Sequence, residues 1–318
     1  MQAPHSDLPT ITADILDRLR QRRPRVHCIT NAVAQNFTAN MLLAAGAVPS
    51  MTIAPKEVRA FVARADALLV NLGTFDAERQ KASLLAVAVA NKGGIPWVLD
   101  PVFIDRSKPR AAFAKTLVAK KPRALRLNRA EFEALAGAAN SASPLPWGEV
   151  GSRSDPGEGL RPIESPSAPH PNPLPTLGRL RPSSRAMGER EHTAVAVAAS
   201  NQFDQALAEY AKARRVVVGL TGERDLVRDQ SRIATIANGH PLMARVTAMG
   251  CAASALVAAC LAVEPDAWRA TSAALILFGV AGEIAAARAR GPGSFAVEIL
   301  DSVHGLDRGA LMLKAKVN

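Results

Sequence analysis

A short glycine-containing segment that leads into a helical stretch is the part of this sequence best suited to binding an anion. The segment ARVTAMGCAASALVAACLA spans residues 244–262. From Ala252 onward it is rich in Ala, Leu and Val and lacks Pro and Gly, which predicts a buried helix with Thr247 as its N-cap. The first helical turn presents unpaired backbone N–H groups and the positive end of the dipole, which suit a phosphate or a developing negative charge. A buried helix with a small-residue entry turn and no ligand is the simpler alternative.

Polar residues also follow several apolar strand patterns, and these are the other candidates for chemistry. Strands are predicted at 26–30, 48–54, 67–73, 96–101, 123–128 and 216–223. Ligands of an open parallel sheet bind beyond the carboxyl ends of its strands. Those ends carry Thr30 with Asn31, Asn71 with Gly73, Asp100, Asn128, and Thr221 with Gly222.

Helical patterns alternate with these strands and define the fold class. Helices are predicted at 11–23, with Thr12 as a possible cap, and at 55–65, 76–94, 110–119 and 128–137. Residues 31–47 are predicted to form a loop followed by a helix that ends near Gly46. Five or more alternations of strand and helix predict an α/β protein with a doubly wound, mostly parallel sheet flanked by helices.

A proline-rich segment interrupts this alternation. Residues 139–190 hold 10 of the 22 prolines in the chain, with Ser, Gly and Arg among them and no hydrophobic period. Such a composition buries too little apolar surface to offset the entropy of ordering, so disorder is expected. We therefore predict one domain in two parts, residues 1–138 and 192–318, separated by an insert at 139–191. A functional linker is the alternative interpretation of the insert.

The overall composition is that of a soluble globular protein. The 318 residues are 48% hydrophobic and carry a formal charge of +11. The basic residues occur in short groups with little aromatic interleaving, so we expect solvated faces and no nucleic-acid partner. The sequence has no run of 18 apolar residues, no secretory signal pattern and no close pair among its three cysteines. A cytoplasmic protein without a membrane segment, disulfide framework or structural zinc is expected.

Seven segments occur in the order found in hydroxyethylthiazole kinases, and the chain resembles that family, the thiamine-salvage members of the ribokinase-like superfamily. They are VHCITNAVAQNFTANMLLAAGAVPSMTIAPKEV, ALLVNLGTF, PWVLDPV, RLNRAEF, LTGERDLV, NGHPLMARVTAMGCAAS and GPGSF, within residues 20–137 and 192–302. The resemblance implies a ribokinase-like fold and phosphoryl transfer from ATP, with Mg²⁺, to the alcohol of 4-methyl-5-(2-hydroxyethyl)thiazole. It also implies a homotrimer with thiazole sites at subunit boundaries.

The resemblance assigns binding roles to five residues. Met51 matches the thiazole-contacting methionine of the family, Asn31 belongs to the same pocket wall, and Ala248 lies in the loop beside the substrate. Arg126 matches the ATP-contacting arginine, and Thr221 matches the nucleotide-contacting threonine, whose hydroxyl can bind a phosphate or ribose oxygen. Without the resemblance, Met51 would be interpreted as core filler and Arg126 as a surface residue.

The resemblance also places magnesium near three oxygen-bearing side chains. Asn128 and Glu131 reproduce the NxxE spacing that the superfamily uses near Mg²⁺ and phosphate, and Asp100 is a further candidate for the metal or its waters. At a helix start, this spacing puts both side chains on one side, where a carboxylate can hold magnesium. An ordinary helix-capping pair is the alternative for Asn128 and Glu131.

Cys251 stands where most members of the superfamily carry an aspartate base, and cysteine is the usual residue in the resembled family. Its place at a helix start suggests a lowered pKa, with which the thiol accepts or orients the proton of the substrate hydroxyl. Phosphoryl transfer relies mainly on positioning and electrostatics, so we assign the larger catalytic role to the N–H groups at Gly250. Cys260 is interpreted as a buried, inert thiol.

Two segments depart from the family pattern. TAMGC replaces TGAGC, so that a positive φ at Ala248 would be strained and Met249 would add bulk beside the anion site. DPVFIDRS, residues 100–107, replaces the glycine-rich DPVGxGAT and introduces Phe103 and Arg106. Three hypotheses follow, namely a hydroxyethylthiazole kinase, a ribokinase-like kinase of another small alcohol, and a catalytically impaired ligand-binding or scaffold protein.

Overall fold

A computed structural model of the chain describes residues 7–137 and 202–318. Residues 1–141 and 204–318 together form one compact unit. The second unit, residues 142–203, lies outside the described residues apart from its last two. The predicted insert at 139–191 also lies outside them, and its division of the domain stays a prediction.

Eight strands of the described chain form a single mixed sheet. They are β1 Arg25–Ile29, β2 Val48–Ser50, β3 Ala67–Asn71, β4 Trp97–Asp100, β5 Ala124–Leu127, β6 Val217–Leu220, β7 Asp225–Arg228 and β8 Ile233–Ile236. Their order is β2-β1-β3-β4-β5-β6-β7-β8. Pairing is parallel from β2 to β6 and antiparallel between β6, β7 and β8. The predicted α/β class with a mostly parallel sheet is confirmed.

Helices connect and cover these strands. Those in the described ranges are α1 Leu8–Arg22, α2 Gln35–Ala45, α3 Val58–Val62, α4 Ala77–Gly93, α5 Lys108–Val118, α6 Arg129–Ala136, α7 over residues 202–214, α8 Met249–Val263, α9 Ala267–Arg288, α10 Pro292–Gly305 and α11 Arg308–Lys314. The helix predicted to end near Gly46 agrees with α2, and the helices predicted at 76–94, 110–119 and 128–137 agree closely with α4, α5 and α6. The strand predicted at 48–54 is shorter than expected, because β2 ends at Ser50.

Two predicted N-caps are wrong. Thr12 lies inside α1, where its hydroxyl donates a hydrogen bond to the carbonyl of Leu8 at 2.7 Å. At α8 the capping position is Ala248 and the helix begins at Met249, with no side-chain cap. Thr247 therefore lies one residue too early to accept a hydrogen bond from the first turn as its N-cap.

Two buried helices place the predicted anion-binding segment against the sheet. α8 packs on β1, β3 and β4 on one side and on α9 on the other. Its many alanines give it a narrow cross-section, which lets α8 lie close to the strands. α9 is long and apolar enough to cross a membrane by length and composition, but most of it is buried in the fold, as in the core helix of a globular domain.

His27 is a fully buried histidine in β1, and it makes the protein sensitive to acid. Burial lowers the pKa of His27 to about 4, although a backbone hydrogen bond at Thr52 opposes this change. The unfolded chain has a histidine pKa near 6.5 and binds more protons than the folded chain between these values. Folding stability from the neutral ring is therefore complete above about pH 6.5 and is lost as the pH falls toward 4.

We expect a His27→Gln variant to lose less stability than the wild type between pH 7 and pH 4. Between pH 7 and pH 4 the free energy of unfolding of the wild type should fall by up to about 3 kcal/mol more than that of the variant, because glutamine takes up no proton. Urea unfolding at several pH values measures it. Parallel pH profiles for the two proteins would contradict the assignment.

Candidate active site

The polar residues predicted at the strand ends lie along one edge of the sheet. Asn71 ends β3 and Asp100 ends β4, and these two residues are paired in the register of the two strands. The start of α8 packs against the same strands and brings Cys251 beside them. A buried polar cluster thus forms where the carboxyl ends of β3 and β4 meet the first turn of α8.

Asp100 is the centre of this cluster and is fully buried. Its Oδ2 accepts hydrogen bonds from Asn71 Nδ2 at 2.6 Å and from Ser254 Oγ at 2.8 Å. Its Oδ1 is buried and has no hydrogen-bond partner. Burial raises the pKa of Asp100, while the positive charge of Arg126 acts in the opposite direction. A buried carboxylate with a free oxygen is a strong candidate for binding a cation.

Asn71, one of the polar strand-end residues, connects Asp100 to Cys251, although the sequence assigned it no specific role. Its Nδ2 also donates to Cys251 Sγ at 3.3 Å, and its Oδ1 accepts the backbone N–H of Gly73 at 2.8 Å. The Gly73 contact fixes which end of the amide carries the donor. The polar position at the end of β3 was visible in the sequence, but its partners lie far away in the chain.

The predicted lowering of the Cys251 pKa is wrong. Burial and the negative charge of Asp100 raise the pKa of Cys251 from 9.0 to about 12, despite the opposing effects of Arg126 and Asn71. This rise corresponds to roughly 4 kcal/mol against the thiolate. A helix N-terminus contributes only about 0.3 to 1 kcal/mol in most settings, so burial decides the outcome. The thiol is neutral at physiological pH.

Arg126 lies in β5 and points toward the entry of α8. A Cβ at Gly250 would come within 2.7 Å of Arg126 Nη1, so the absence of a side chain there makes room for the guanidinium. Arg126 Nε is buried without a hydrogen-bond partner. Its charge opposes the rise that burial causes in the pKa values of Asp100, Glu131 and Cys251. The predicted nucleotide-binding arginine and the predicted catalytic Gly250 therefore lie together.

Asn128 and Glu131 form a capping box at the start of α6. Asn128 Oδ1 accepts the N–H of Glu131 at 2.9 Å, and Glu131 Oε2 accepts the N–H of Asn128 at 2.9 Å. Glu131 Oε1 also accepts the N–H of Phe103 at 3.0 Å. Capping was the alternative to metal binding for this pair, and the structure shows the cap. A carboxylate has further lone pairs, so capping leaves Glu131 able to accept a cation or its waters.

Glu131 is buried and lies close enough to Asp100 for the two carboxylates to interact. Burial, followed by the charge of Asp100, raises the pKa of Glu131 to about 7. Two carboxylates with raised pKa values would be relieved of their repulsion by a divalent cation. Within the described residues, no group of three or more His, Cys, Asp and Glu side chains forms a metal cluster. A pair of carboxylates still suits Mg²⁺, which usually takes only one or two together with phosphates and waters.

Thr221 follows β6 and is tied to the end of β5 by a hydrogen bond from its N–H to the carbonyl of Leu127 at 2.9 Å. The next residue, Gly222, donates its N–H to Asp225 Oδ1 at 3.0 Å. Burial raises the pKa of Asp225 to about 6, and the charge of Arg126 opposes that rise. Thr221 therefore lies on the β6 side of Arg126, on the flank where the sheet changes from parallel to antiparallel.

Asn31 and Met51 lie on the other flank. Asn31 Oδ1 accepts hydrogen bonds from Thr74 Oγ1 at 3.0 Å and from the N–H of Val33 at 3.2 Å. A Cβ at Gly73 would come within 2.7 Å of Asn31 Cβ, so Asn31 packs directly on the backbone that also binds Asn71. Met51 is half-buried just beyond β2. Asn31 is thus joined to the cluster through Gly73, whereas Met51 packs against the hydrophobic core.

Both segments that depart from the family pattern contain a residue with a left-handed backbone. Ala248 has φ of 72° and Phe103 has φ of 60°, in segments where the family pattern has glycines. The strain expected at Ala248 is therefore present. The side chain of Met249 is buried in the hydrophobic core. Phe103 is half exposed, with the Arg106 guanidinium 5.7 Å from its ring centroid.

An Ala248→Gly substitution is expected to stabilise the protein by about 1 kcal/mol, because glycine adopts a positive φ without a steric cost. The corresponding rise in Tm is roughly 2 to 4 °C for a chain of this size. Ala112→Gly serves as the control, since Ala112 is exposed within α5 and glycine there should destabilise by a similar amount. Thermal unfolding of both variants checks the difference in sign, and a lower Tm for Ala248→Gly would contradict it.

The chain is similar in sequence and in fold to known proteins. The sequence model of the hydroxyethylthiazole kinase family matches residues 16–144 and 190–309. A hydroxyethylthiazole kinase from Granulibacter bethesdensis is 39% identical over 300 residues, which cover 94% of this chain and 92% of the relative. The structure of a hydroxyethylthiazole kinase from Pyrococcus horikoshii superposes with a TM-score of 0.75 at 30% identity, covering 97% of this chain and 98% of that one.

A more distant match concerns the fold only. A ribokinase-like superfamily protein from Enterococcus faecalis superposes with a TM-score of 0.53 at 12% identity, over 93% of this chain and 95% of the other. The predicted ribokinase-like architecture, with a mixed sheet flanked by helices, is confirmed.

Proposed function

Because this chain belongs to the hydroxyethylthiazole kinase family, we propose that it transfers the terminal phosphoryl group of ATP to the hydroxyl of hydroxyethylthiazole, as a step of thiamine salvage. We place the reaction beside Gly250 because Asn71 is hydrogen-bonded there to both Asp100 and Cys251. This cluster lies at the carboxyl ends of the strands, where ligands of such sheets bind.

The residues divide into a nucleotide side and an alcohol side. Arg126 and Thr221 bind the ATP phosphates or ribose, and the N–H groups at Gly250 stabilise charge on the transferred group. Met51 and Asn31 form the wall of the thiazole pocket, and Ala248 lies between the two sides. The uncharged state of Cys251 gives its thiol the role of orienting the alcohol by a hydrogen bond. This role suffices because phosphoryl transfer depends more on positioning than on a strong base.

Magnesium fits the acidic part of the site. The free Oδ1 of Asp100 and the carboxylate of Glu131 are the oxygen donors, while Asn128 holds Glu131 through the capping box. Mg²⁺ held by these residues would supply positive charge to offset that of the phosphates. The chain contributes carboxylates that burial has already made unfavourable as free anions, which favours a cation at this point.

An exposed apolar surface at the β2 edge of the sheet supports the proposed assembly of subunits. Large apolar side chains are exposed there on β2, on α2 and α3, and on the short turn before α2, namely Val33, Leu43, Val48 and Phe61. An exposed apolar surface beside an edge strand marks a protein interface. This supports a homotrimer in which the thiazole pocket lies at the subunit boundary, and light scattering measures it. The two family-matched ranges, residues 16–144 and 190–309, support a single domain interrupted by the insert, for which we propose a cytoplasmic location.

An ADP-release assay with purified protein, ATP, Mg²⁺ and hydroxyethylthiazole tests the function. We expect ADP formation that depends on the thiazole alcohol and stops when the metal is chelated. Hydroxymethylpyrimidine and a simple sugar serve as alternative acceptors in the same assay. ADP formation with one of those acceptors and none with the thiazole alcohol would overturn the substrate assignment, and ligand binding without turnover would overturn the kinase assignment.

A further inference from the structure

His27 binds both neighbours of the proposed thiazole-contacting residue. Its Nδ1 lies 2.8 Å from Ser50 Oγ, and its Nε2 lies 3.0 Å from the backbone carbonyl of Thr52. Met51 stands between these two residues in the chain. The imidazole therefore spans the backbone at the point where the methionine side chain leaves it.

The chemistry of the two partners fixes the tautomer. A carbonyl oxygen only accepts hydrogen bonds, so the Nε2 of His27 carries the proton and donates to Thr52. The Nδ1 is then the acceptor for the hydroxyl of Ser50. Both ring nitrogens are satisfied in a fully buried and neutral ring, which is consistent with a structural clamp and leaves no position for a substrate.

We call the two hydrogen bonds that join His27 to Ser50 and Thr52 the clamp. The clamp lies where the pairing of β2 with β1 ends. β2 is a three-residue edge strand, and its pairing with β1 ends at the register pair His27 and Ser50. Beyond Ser50, the His27 side chain binds the backbone in place of the ladder. Thr52 is held further by its own hydroxyl, which donates to Glu57 Oε2 at 3.1 Å. An edge strand this short would otherwise leave Met51 free to shift.

We propose that His27 is a positioning residue for the alcohol substrate, and that it sets the place of Met51 in the pocket wall through Ser50 and Thr52. This inference rests on the proposed contact between Met51 and the thiazole. It concerns binding of the alcohol alone, because the clamp lies on the β2 side of the sheet and Arg126 and Thr221 lie on the β5 and β6 side.

Steady-state kinetics of three clamp variants test the proposal. Ser50→Ala removes one hydrogen bond, and we expect KM for the thiazole alcohol to rise about fivefold, with KM for ATP unchanged. His27→Phe removes the hydrogen bonds to Ser50 and to Thr52, and we expect KM for the thiazole alcohol to rise about tenfold or more. His27→Gln retains an amide donor for Thr52 and should recover most of the affinity. Ser83→Ala is the matched control, since Ser83 is a buried serine whose hydroxyl bonds only within its own helix, to Arg79.

Met51→Ala separates this inference from the function on which it rests. An unchanged KM for the alcohol in Met51→Ala would overturn the proposed contact and the clamp with it. A raised KM in Met51→Ala, with Ser50→Ala and His27→Phe like the wild type, would overturn the clamp alone. Equal rises in KM for ATP and for the alcohol would also overturn it, because a general loss of structure affects both. Ser50→Ala keeps the test open should His27→Phe fold poorly.

Discussion

An Asp100→Asn variant is expected to lose about 10²- to 10³-fold in kcat/KM while its Tm stays equal to or above that of the wild type. The loss arises because the amide cannot supply the negative oxygen that we assign to the metal. Stability is kept because burial already raises the pKa of Asp100, so that the ionised carboxylate is a cost to the fold. The asparagine oxygen still accepts from Asn71 and Ser254. A loss of activity without a loss of Tm would show that the Asp100 carboxylate serves the reaction and does not stabilise the fold.

The measurements are kcat and KM at several Mg²⁺ concentrations, together with thermal unfolding. Asp66→Asn is the control, because Asp66 pairs with Arg25 at the amino ends of the strands, away from the cluster. It should leave kcat/KM unchanged and lower stability by less than about 1 kcal/mol. Unchanged activity of Asp100→Asn would remove Asp100 from the site. A fall in Tm parallel to the fall in activity would make its role structural.

The sheet and its functional edge could be predicted because their signals are local. A strand buried on both faces is a short apolar run, and the residue that ends it is visible in the sequence, as with Asn71 and Asp100. The weaker strands β7 and β8 carry the sequences DLVR and IATI. They were not predicted, because an antiparallel edge gives a less continuous apolar signal.

The details of the site depended on contacts that no local pattern contains. Asn71 and Cys251 are 180 positions apart in the sequence, and only the packing of α8 on β3 brings them together. The same packing buries Cys251, so that its pKa is raised, whereas the sequence predicts a lowered pKa. A helix start is a local feature and was predicted, but the burial that outweighs it is a property of the whole fold.

Ala248, at the loop before α8, has a left-handed backbone although it is not a glycine. The strained φ at Ala248 places the first N–H groups of α8 next to the room that Gly250 leaves for Arg126. Keeping this conformation without glycine costs about 1 kcal/mol, which packing of the buried helix behind it can offset. The TAMGC segment therefore forms a left-handed turn at Ala248 without glycine, and Gly250 leaves room for Arg126 at the start of α8.

Asn71→Asp is expected to lower kcat by about 10²-fold or more, with KM for the alcohol changed less than about threefold. Aspartate has the shape of asparagine and still accepts the N–H of Gly73, but it cannot donate to Asp100 or Cys251. It also adds a negative charge beside Asp100, so its remaining activity should improve at lower pH, where the new carboxyl is protonated. Asn71→Ala removes the donors without the charge and should lose kcat with no such dependence on pH.

A matched control and a readout other than turnover separate positioning from stability. Asn91→Asp makes the same chemical change at a residue that bonds Lys120 and Trp97, near the amino end of β4. It should lower Tm and leave kcat unchanged. In Asn71→Asp, the carboxylate accepts from the thiol, so alkylation of Cys251 by iodoacetamide should slow relative to the wild type. Equal losses of kcat in Asn91→Asp and Asn71→Asp, or unchanged kcat in Asn71→Asp, would show that Asn71 does not position the reacting groups.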